Sequence, residues 1–446
     1  MECPRFLCTR IFDRVLLVIV SVIISIAFIV GCLSPRIGLA SLVMATLISG
    51  FDLTFASGWT LDGGNRLDTA WALGLGFAAI ARFFGAWRLP HSALVLLTFY
   101  TLGTLLLGQL SIPSPGLSGW EAWVLMLCGL LYGASIGKQA SGKTLIPAMR
   151  VCILAATLTL VYQAFLGQPF IRVPLPDYAL SGRMFTASAT VAIGLAVIGI
   201  LSGIRVFHNS WTNSVSFVVL IGALVSLQQR TVTLSVFVGI MVLAWLARAR
   251  LSILIGHFFT ALKHDWRYFL LSLLILVFIL SGSFAAGRIL ELSSEVVLTP
   301  NSLALISGSN GLAYDPNSEL GFFDSFGDMR NFYWRLGIWS EFMKGNKTGL
   351  GWVFGQFSVT GSTSEWSSHS QFIDALRLVG IIGLVTWGIT LYVAYINAHL
   401  LAPSIKLVPK VTIVFGLVYG ISYEWSPLIG LLVGFSLISK RQGWKR

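Results

Sequence analysis

The sequence predicts an all-α polytopic membrane protein of about 12 transmembrane helices with one large extracytoplasmic loop. Three observations predict it. Hydrophobic residues make up 56% of the 446-residue chain and charged residues only 11%, whereas soluble proteins carry roughly 25% charged residues. The mean hydropathy is +0.82, and apolar runs of about 15–25 residues recur between short polar joints. Basic residues gather in those joints and at the chain ends, as in cytoplasmic loops of membrane proteins. The net charge of +12 therefore reports topology and a lipid bilayer as partner, not nucleic acid.

The apolar runs lie at 15–33, 36–50, 68–86, 91–113, 119–136, 144–166, 187–204, 213–228, 231–246, 268–286, 371–398, 411–422 and 428–439. The first continues from Val15 to Leu33 with no A-x-A-like cleavage site, so it reads as a membrane segment rather than a signal peptide. Lys138 and Lys143 mark one cytoplasmic joint. Arg248, Arg250, Lys263 and Arg267 mark another, Lys406 and Lys410 a third, and the tail KRQGWKR a fourth. Alternation then puts the joints at 167–186 and 229–230 outside, together with 287–368. That long segment carries eight acids against five bases, a net charge of −3 opposite to the rest of the chain.

The N-terminal MECPRFLCTRIFDR, with three arginines against two acids, belongs inside by the same rule. This requires an odd number of crossings before residue 51. The two runs there, broken at Ser34-Pro35-Arg36, are reconciled if 36–50 is re-entrant or tilted. The chain then divides into 1–286 with about nine crossings, the outer loop 287–368, and 369–446 with about three. The last two runs are short, about 18 Å each against a hydrocarbon core of ~30 Å. Tyr423 to Pro427 between them reads as a shallow outer turn. The five cysteines are scattered without a C-x-x-C pair, which argues against disulfide or metal roles.

On this topology three groups meet the outer surface at segment ends. Arg183, in DYALSGRMF, precedes the run at 187–204; Arg230, in LQQRTVTL, sits in a tight outer turn; His369 stands where the long loop meets an apolar helix. A snorkelling anchor is the bland reading of such an arginine. Positive charge is disfavoured on the outer side, however, and a planar guanidinium grips phosphate or pyrophosphate bidentately. No phosphate-cradling glycine loop and no D-x-D pair appears, so neither a nucleotide nor a metal-held sugar nucleotide is implied. His369 with Ser370 reads either as a helix cap or as a solvated imidazole aimed for general-base work. Glu365 is a candidate to orient it. Asp374 and Arg377, three apart on one helix, read as a structural pair. Trp352, Trp366 and Trp425 fit an outer aromatic belt, and the remaining five histidines read as structural.

His369-Ser370, nine residues, Gly380, two residues and Gly383-Leu384 resemble the H-[NSQ]-x9-G-x-x-G-L signature of the bacterial O-antigen ligase and O-antigen polymerase superfamily. Arg230 to Leu234 is similar to that family's R-x3-L element at the start of a membrane helix. Arg183 falls where the family places another outer arginine. Arg335 to Trp339, followed by GLGWVFGQF, resembles a segment of its large outer loop. The resemblance covers roughly residues 175–440. It implies a GT-C-like membrane glycosyltransferase of the bacterial inner membrane, active at the periplasmic face, with no cofactor or metal. The implied donor is an undecaprenyl-pyrophosphate-linked glycan, and the acceptor is lipid A-core or a growing glycan. Arg183 and Arg230 would bind the pyrophosphate, Arg335 would orient donor or acceptor, and His369 would be the catalytic base.

The same superfamily holds polymerases and protein O-oligosaccharyltransferases that share this donor chemistry. Polymerases are associated with R-x10-G or R-x15-G spacings, which Arg183 to Gly194 or Gly199, and Arg335 to Gly351, fit. A flippase or transporter for lipid-linked sugar is the reading from another class. It would spread charge through the membrane midplane or show symmetric halves, whereas these candidate residues cluster at one face.

Overall fold

The computed structural model describes residues 5–50, 66–86, 90–111, 120–166, 174–175, 178–179, 185, 187–227, 229–246, 270, 339, 349–355 and 370–438. The described helices are α1 (Arg5–Leu33), α2 (Pro35–Ser49), α3 (Arg66–Gly85), α4 (Ser92–Ser111), α5 (Trp120–Ile136), α6 (Gly142–Leu166), α7 (Ala187–Leu201), α8 (Ser210–Leu227), α9 (Arg230–Leu246), α10 (Gly349–Phe354), α11 (Gln371–Asn397), α12 (Leu407–Tyr419) and α13 (Pro427–Gly434). Between α6 and α7, Pro174–Leu175 pairs antiparallel with Tyr178–Ala179. The described chain is thus helical with one minimal hairpin. By length and composition Leu67–Gly85, Gly142–Val161 and Gln371–Leu400 suffice to cross a membrane, the last being interrupted by non-helical backbone at Gly380. Eight further apolar helices are shorter.

Apolar side chains face outward over much of this bundle, with Val18, Phe84, Phe99, Leu106, Phe237 and Tyr392 more than half exposed. Such surface fits a lipid environment, as the length and apolarity of the helices do. With lipid on the outside, association must come from close packing of small residues rather than from apolar burial. The α5–α13 contact supplies it. A β-carbon on Gly129, Gly133 or Gly137 would land on the carbonyl oxygen of Pro427, Leu431 or Phe435 respectively, and one on Gly430 or Gly434 on that of Met126 or Leu130. Gly133→Val is therefore expected to force the helices apart and destabilise the fold by about 1–3 kcal/mol. Gly388→Ala, which meets nothing within 4 Å, should leave the detergent-solubilised melting temperature unchanged.

The contacts sort the helix ends into two groups. At one end Arg82 donates to the Cys32 carbonyl at 3.0 Å and to Gln139 at 2.9 Å, and His91 N–H donates to the Leu437 carbonyl. At the other, Thr69 donates to the Glu121 carboxylate at 2.6 Å and Asp68 N–H donates to Ser49 Oγ at 3.0 Å.

This grouping bears on the first two runs. The Gly74 site lies against Ile24 and Ala27, and the Gly31 site against Leu75 and Ala78, so α1 runs parallel to α3. Trp71 Nε1 donates to Ser41 Oγ while Ser49 meets Asp68, so α2 runs antiparallel to α3. The chain reverses at Ser34, which is extended (φ −146°, ψ 110°), and Pro35 opens α2 with its fixed φ. Of the two alternatives for 36–50, the re-entrant one does not match this packing, because α2 returns along α3 to its far end. The N-terminus of α1 and the C-terminus of α2 consequently share one end of the bundle.

Candidate functional site at the start of α11

The site is built around the first residues of α11. Ser370 is extended (φ −143°, ψ 119°) and occupies the N-cap position. Its hydroxyl makes no cap bond and instead donates to the Gly420 carbonyl at 3.3 Å. The helix-cap reading thus fails for the Ser370 side chain. Gln371 does the anchoring. Its N–H donates to the carbonyls of Gly420 (2.9 Å) and Tyr423 (3.3 Å), and its Oε1 accepts the Trp425 N–H at 2.8 Å. Gln371 is 1% exposed, so these bonds act in a low-dielectric interior where a lost partner is costly.

The partner segment is the turn between α12 and α13. The end of that turn is packed into the protein interior. Trp425 is 1% and Ser426 6% exposed, and Trp425 Nε1 donates to the Gly416 carbonyl at 2.7 Å. Trp425 is therefore a core residue rather than part of an aromatic belt. Its ring meets Trp387 edge-on at 5.1 Å, and Trp387 in turn meets Trp123 and Phe372 at 5.8 Å. Gly416 and Gly420 make room for the indole.

The Phe372–Trp387 contact identifies a second departure from the sequence reading. Fifteen residues of straight helix would separate them by about 22 Å. The run 371–398 is not one rod. Gly380 has φ 64° and ψ −171°, a region that is essentially glycine-only, and the chain folds back there. A β-carbon on Gly383 would collide with Val379, so the second glycine of the signature makes room for the fold. The sequence stays apolar through Gly380, which conceals the bend from hydropathy.

Short α10 fills the angle. A β-carbon on Gly380 would land on the 353–355 backbone, and one on Gly355 (φ +94°) on the Leu378–Val379 peptide. Tyr100 Oη, from α4, shares its hydrogen between the carbonyls of Val379 (3.0 Å) and Phe354 (3.3 Å). Residues 349–355 of the expected outer loop are therefore docked against α11 and α4. The first half of α11 buries a polar face of Ser370, Gln371, Asp374 and Arg377. Arg377 Nη2 lies 3.6 Å from Asp374 Oδ1, both side chains being buried, which bears out the structural pairing read from their spacing.

Of the sequence-predicted site residues, Arg183, Arg335 and His369 lie outside the described residues, as does Glu365. Arg230 opens α9; its side chain lies outside them too. The described residues link the starts of α9 and α11. Phe185, two residues after Arg183, is buried at 5% exposure just before α7. Gly194 of α7 lies against Val232 and Val236 of α9 and Phe415 of α12. Phe415, Tyr419 and Tyr423 then stack in a ladder, at 6.0 and 5.2 Å, that ends beside Gln371. The starts of α9 and α11 are thus joined through α12. Sequence reasoning missed Gln371 and Tyr100. The only signal for them was a polar group set within or against an apolar run.

Among the described residues no three His, Cys, Asp or Glu side chains converge as a metal site would require. Comparison with protein-family models, with characterised proteins and with solved structures gives no match.

Proposed function

We propose that the protein is an O-antigen ligase-like membrane glycosyltransferase with about 12 crossings. It moves a glycan from undecaprenyl pyrophosphate to lipid A-core at the periplasmic face of a bacterial inner membrane. The observation that carries this reading is the conformation of the signature's glycines. Gly380 adopts a backbone only glycine tolerates, and Gly383 gives room for the fold-back, so the motif at 369–384 has a geometric reason for its spacing.

In this reading Arg183 and Arg230 hold the pyrophosphate and stabilise the charge that grows on it as the anomeric C–O bond breaks. His369 takes the proton of the acceptor hydroxyl as that oxygen attacks from the opposite face, giving inversion. Arg335 orients one of the two substrates. The leaving group is already stabilised as a pyrophosphate, so the arginines serve where a metal otherwise would.

Reconstitution with polyprenyl-pyrophosphate glycan and lipid A-core, in the presence of EDTA, tests the reading. Glycan on the core is the expected product. Elongated glycan still on its carrier would make the protein a polymerase with the same chemistry, and no transfer at all would overturn the reading. Arg230→Ala is expected to lower kcat/KM about 10²–10³-fold. Arg230→Lys should recover only part of this, since an ammonium cannot reproduce the guanidinium fork.

A further inference from the structure

We infer that the end of the bundle carrying Lys143, Arg205 and Lys406 holds a binding site for the headgroup of an anionic phospholipid. Three segments far apart in sequence meet there. Gly142, the first residue of α6, donates its N–H to Ser404 Oγ at 3.3 Å. A β-carbon on Gly142 would lie 3.6 Å from that oxygen and 3.9 Å from Ile204 Cγ2. The start of α6, the turn between α7 and α8 and the turn before α12 thus share one junction. Lys143, Arg205 and Lys406 follow it by one or two residues on their segments. Lys143 and Arg205 are exposed, and Lys406 is half-buried.

Both turns present their bases from fixed backbone. Arg205 stands exposed between Ile204 and Val206, which are buried. Asn213 Oδ1 accepts the N–H groups of Val206 and Phe207 at 2.9 and 3.1 Å. The Asn213 amide donates in turn to the carbonyls of Phe207 and Asn209. Arg150, a further exposed base on α6, donates to the Val206 carbonyl at 3.3 Å and lies 5.5 Å from the centre of the Phe207 ring. On the third segment Ile405 is buried, and Lys406 N–H donates to the Ala402 carbonyl at 3.1 Å. Little of this backbone has to be ordered on binding, so more of the electrostatic attraction appears as affinity.

Charge and depth select the partner. Among the described side chains the carboxylates are Asp68, Glu121, Asp374 and Glu424, and all four lie at the other end of the bundle. Glu121 bonds Thr69 at the start of α5, whose 17 residues span about 25 Å before the turn to Gly142. Asp374 and Glu424 lie within four residues of the Gln371–Gly420 hydrogen bond, at the opposite end of α12 from Lys406. Apolar surface also runs up to the junction. Tyr392, Ile396 and Leu400 lead along the end of α11 to the turn before α12, and all three are exposed. Acyl chains cover such a surface while the phosphate meets the bases above it, whereas a soluble anion leaves it bare. On the topology read from the basic joints this end faces the cytoplasm, where the leaflet supplies anionic headgroups.

Titration of the full-length, delipidated protein in neutral detergent with dioleoylphosphatidylglycerol tests the inference, bound lipid being read by native mass spectrometry. Wild type should retain phosphatidylglycerol in preference to phosphatidylcholine. Lys143→Gln, Arg205→Gln and Lys406→Gln combined should weaken phosphatidylglycerol binding about 100-fold and leave phosphatidylcholine binding unchanged. The charge-conserving combination Lys143→Arg, Arg205→Lys and Lys406→Arg should bind as wild type does. So should a protein with equal charge removed from the tail by Lys440→Gln, Arg441→Gln and Lys445→Gln. Undiminished binding by the first triple variant overturns the inference, and so does an equal loss in the tail variant, which would make the attraction one of net charge. Displacement of the lipid by an equal concentration of inorganic phosphate would also overturn it, since the site would then be one for a soluble anion. None of these measurements uses a glycan donor, so a failure here leaves the transfer chemistry proposed above untouched.

Discussion

His369→Ala is expected to reduce glycan transfer by about 10²–10⁴-fold, the usual contribution of a positioned general base. The protein should stay folded, because the substitution leaves in place the bonds by which Ser370, Gln371 and the 420–425 turn fix the start of α11. The wild-type pH profile carries the sign of the assignment. An imidazole accepts a proton only when neutral, so kcat/KM should fall tenfold per unit below its pKa, about 6.5 before any shift by neighbours. That limb should vanish from the residual activity of His369→Ala. Ser370→Ala is the informative companion. Its hydroxyl donates to the Gly420 carbonyl at 3.3 Å and makes no cap bond, so a modest loss of stability with near-wild-type transfer is expected. Equal activity in His369→Ala and wild type would reduce the stretch to a structural joint.

The helical, membrane-adapted character of the chain was legible because lipid imposes one rule on the surface: residues such as Val18, Phe99 and Phe237 remain apolar although exposed. The Asp374–Arg377 pair was legible for a similar reason, since three residues on a helix bring two charges to one face. Hydropathy was blind to direction. It did not distinguish a helix that turns back part-way at 36–50 from one that returns along α3, because Ser34-Pro35 breaks a helix without fixing the angle that follows. It equally joined two helices across Gly380, where a conformation changes and the polarity does not. Polar residues that bind the fold internally, such as Gln371 and Tyr100, give no sequence signal of their partners, which lie 54 and 279 positions away.

Gly380→Ala puts the largest stability effect at a single methyl group. Placing an L side chain at φ 64°, ψ −171° costs about 1–3 kcal/mol in the backbone alone. The added carbon also falls on the backbone of α10, and backbone cannot rotate out of the way as a side-chain tip does. Overpacking of that kind adds about 1–3 kcal/mol, so the sum is a sizeable share of an ordinary folding free energy of about 5–15 kcal/mol. The chain can relieve both by straightening α11, which would pull Phe372 away from Trp387, break the Tyr100 bonds and displace the start of α11 from the 420–425 turn. Loss of the near-ultraviolet dichroism from the Trp123–Trp387–Trp425 cluster should therefore accompany loss of transfer. Gly388→Ala, on the same helix but in open space, should preserve both signals. Wild-type dichroism, melting temperature and transfer in Gly380→Ala would mean that the fold-back at Gly380 is not the working shape of the molecule. The geometric account of the 369–384 motif would then lose its support.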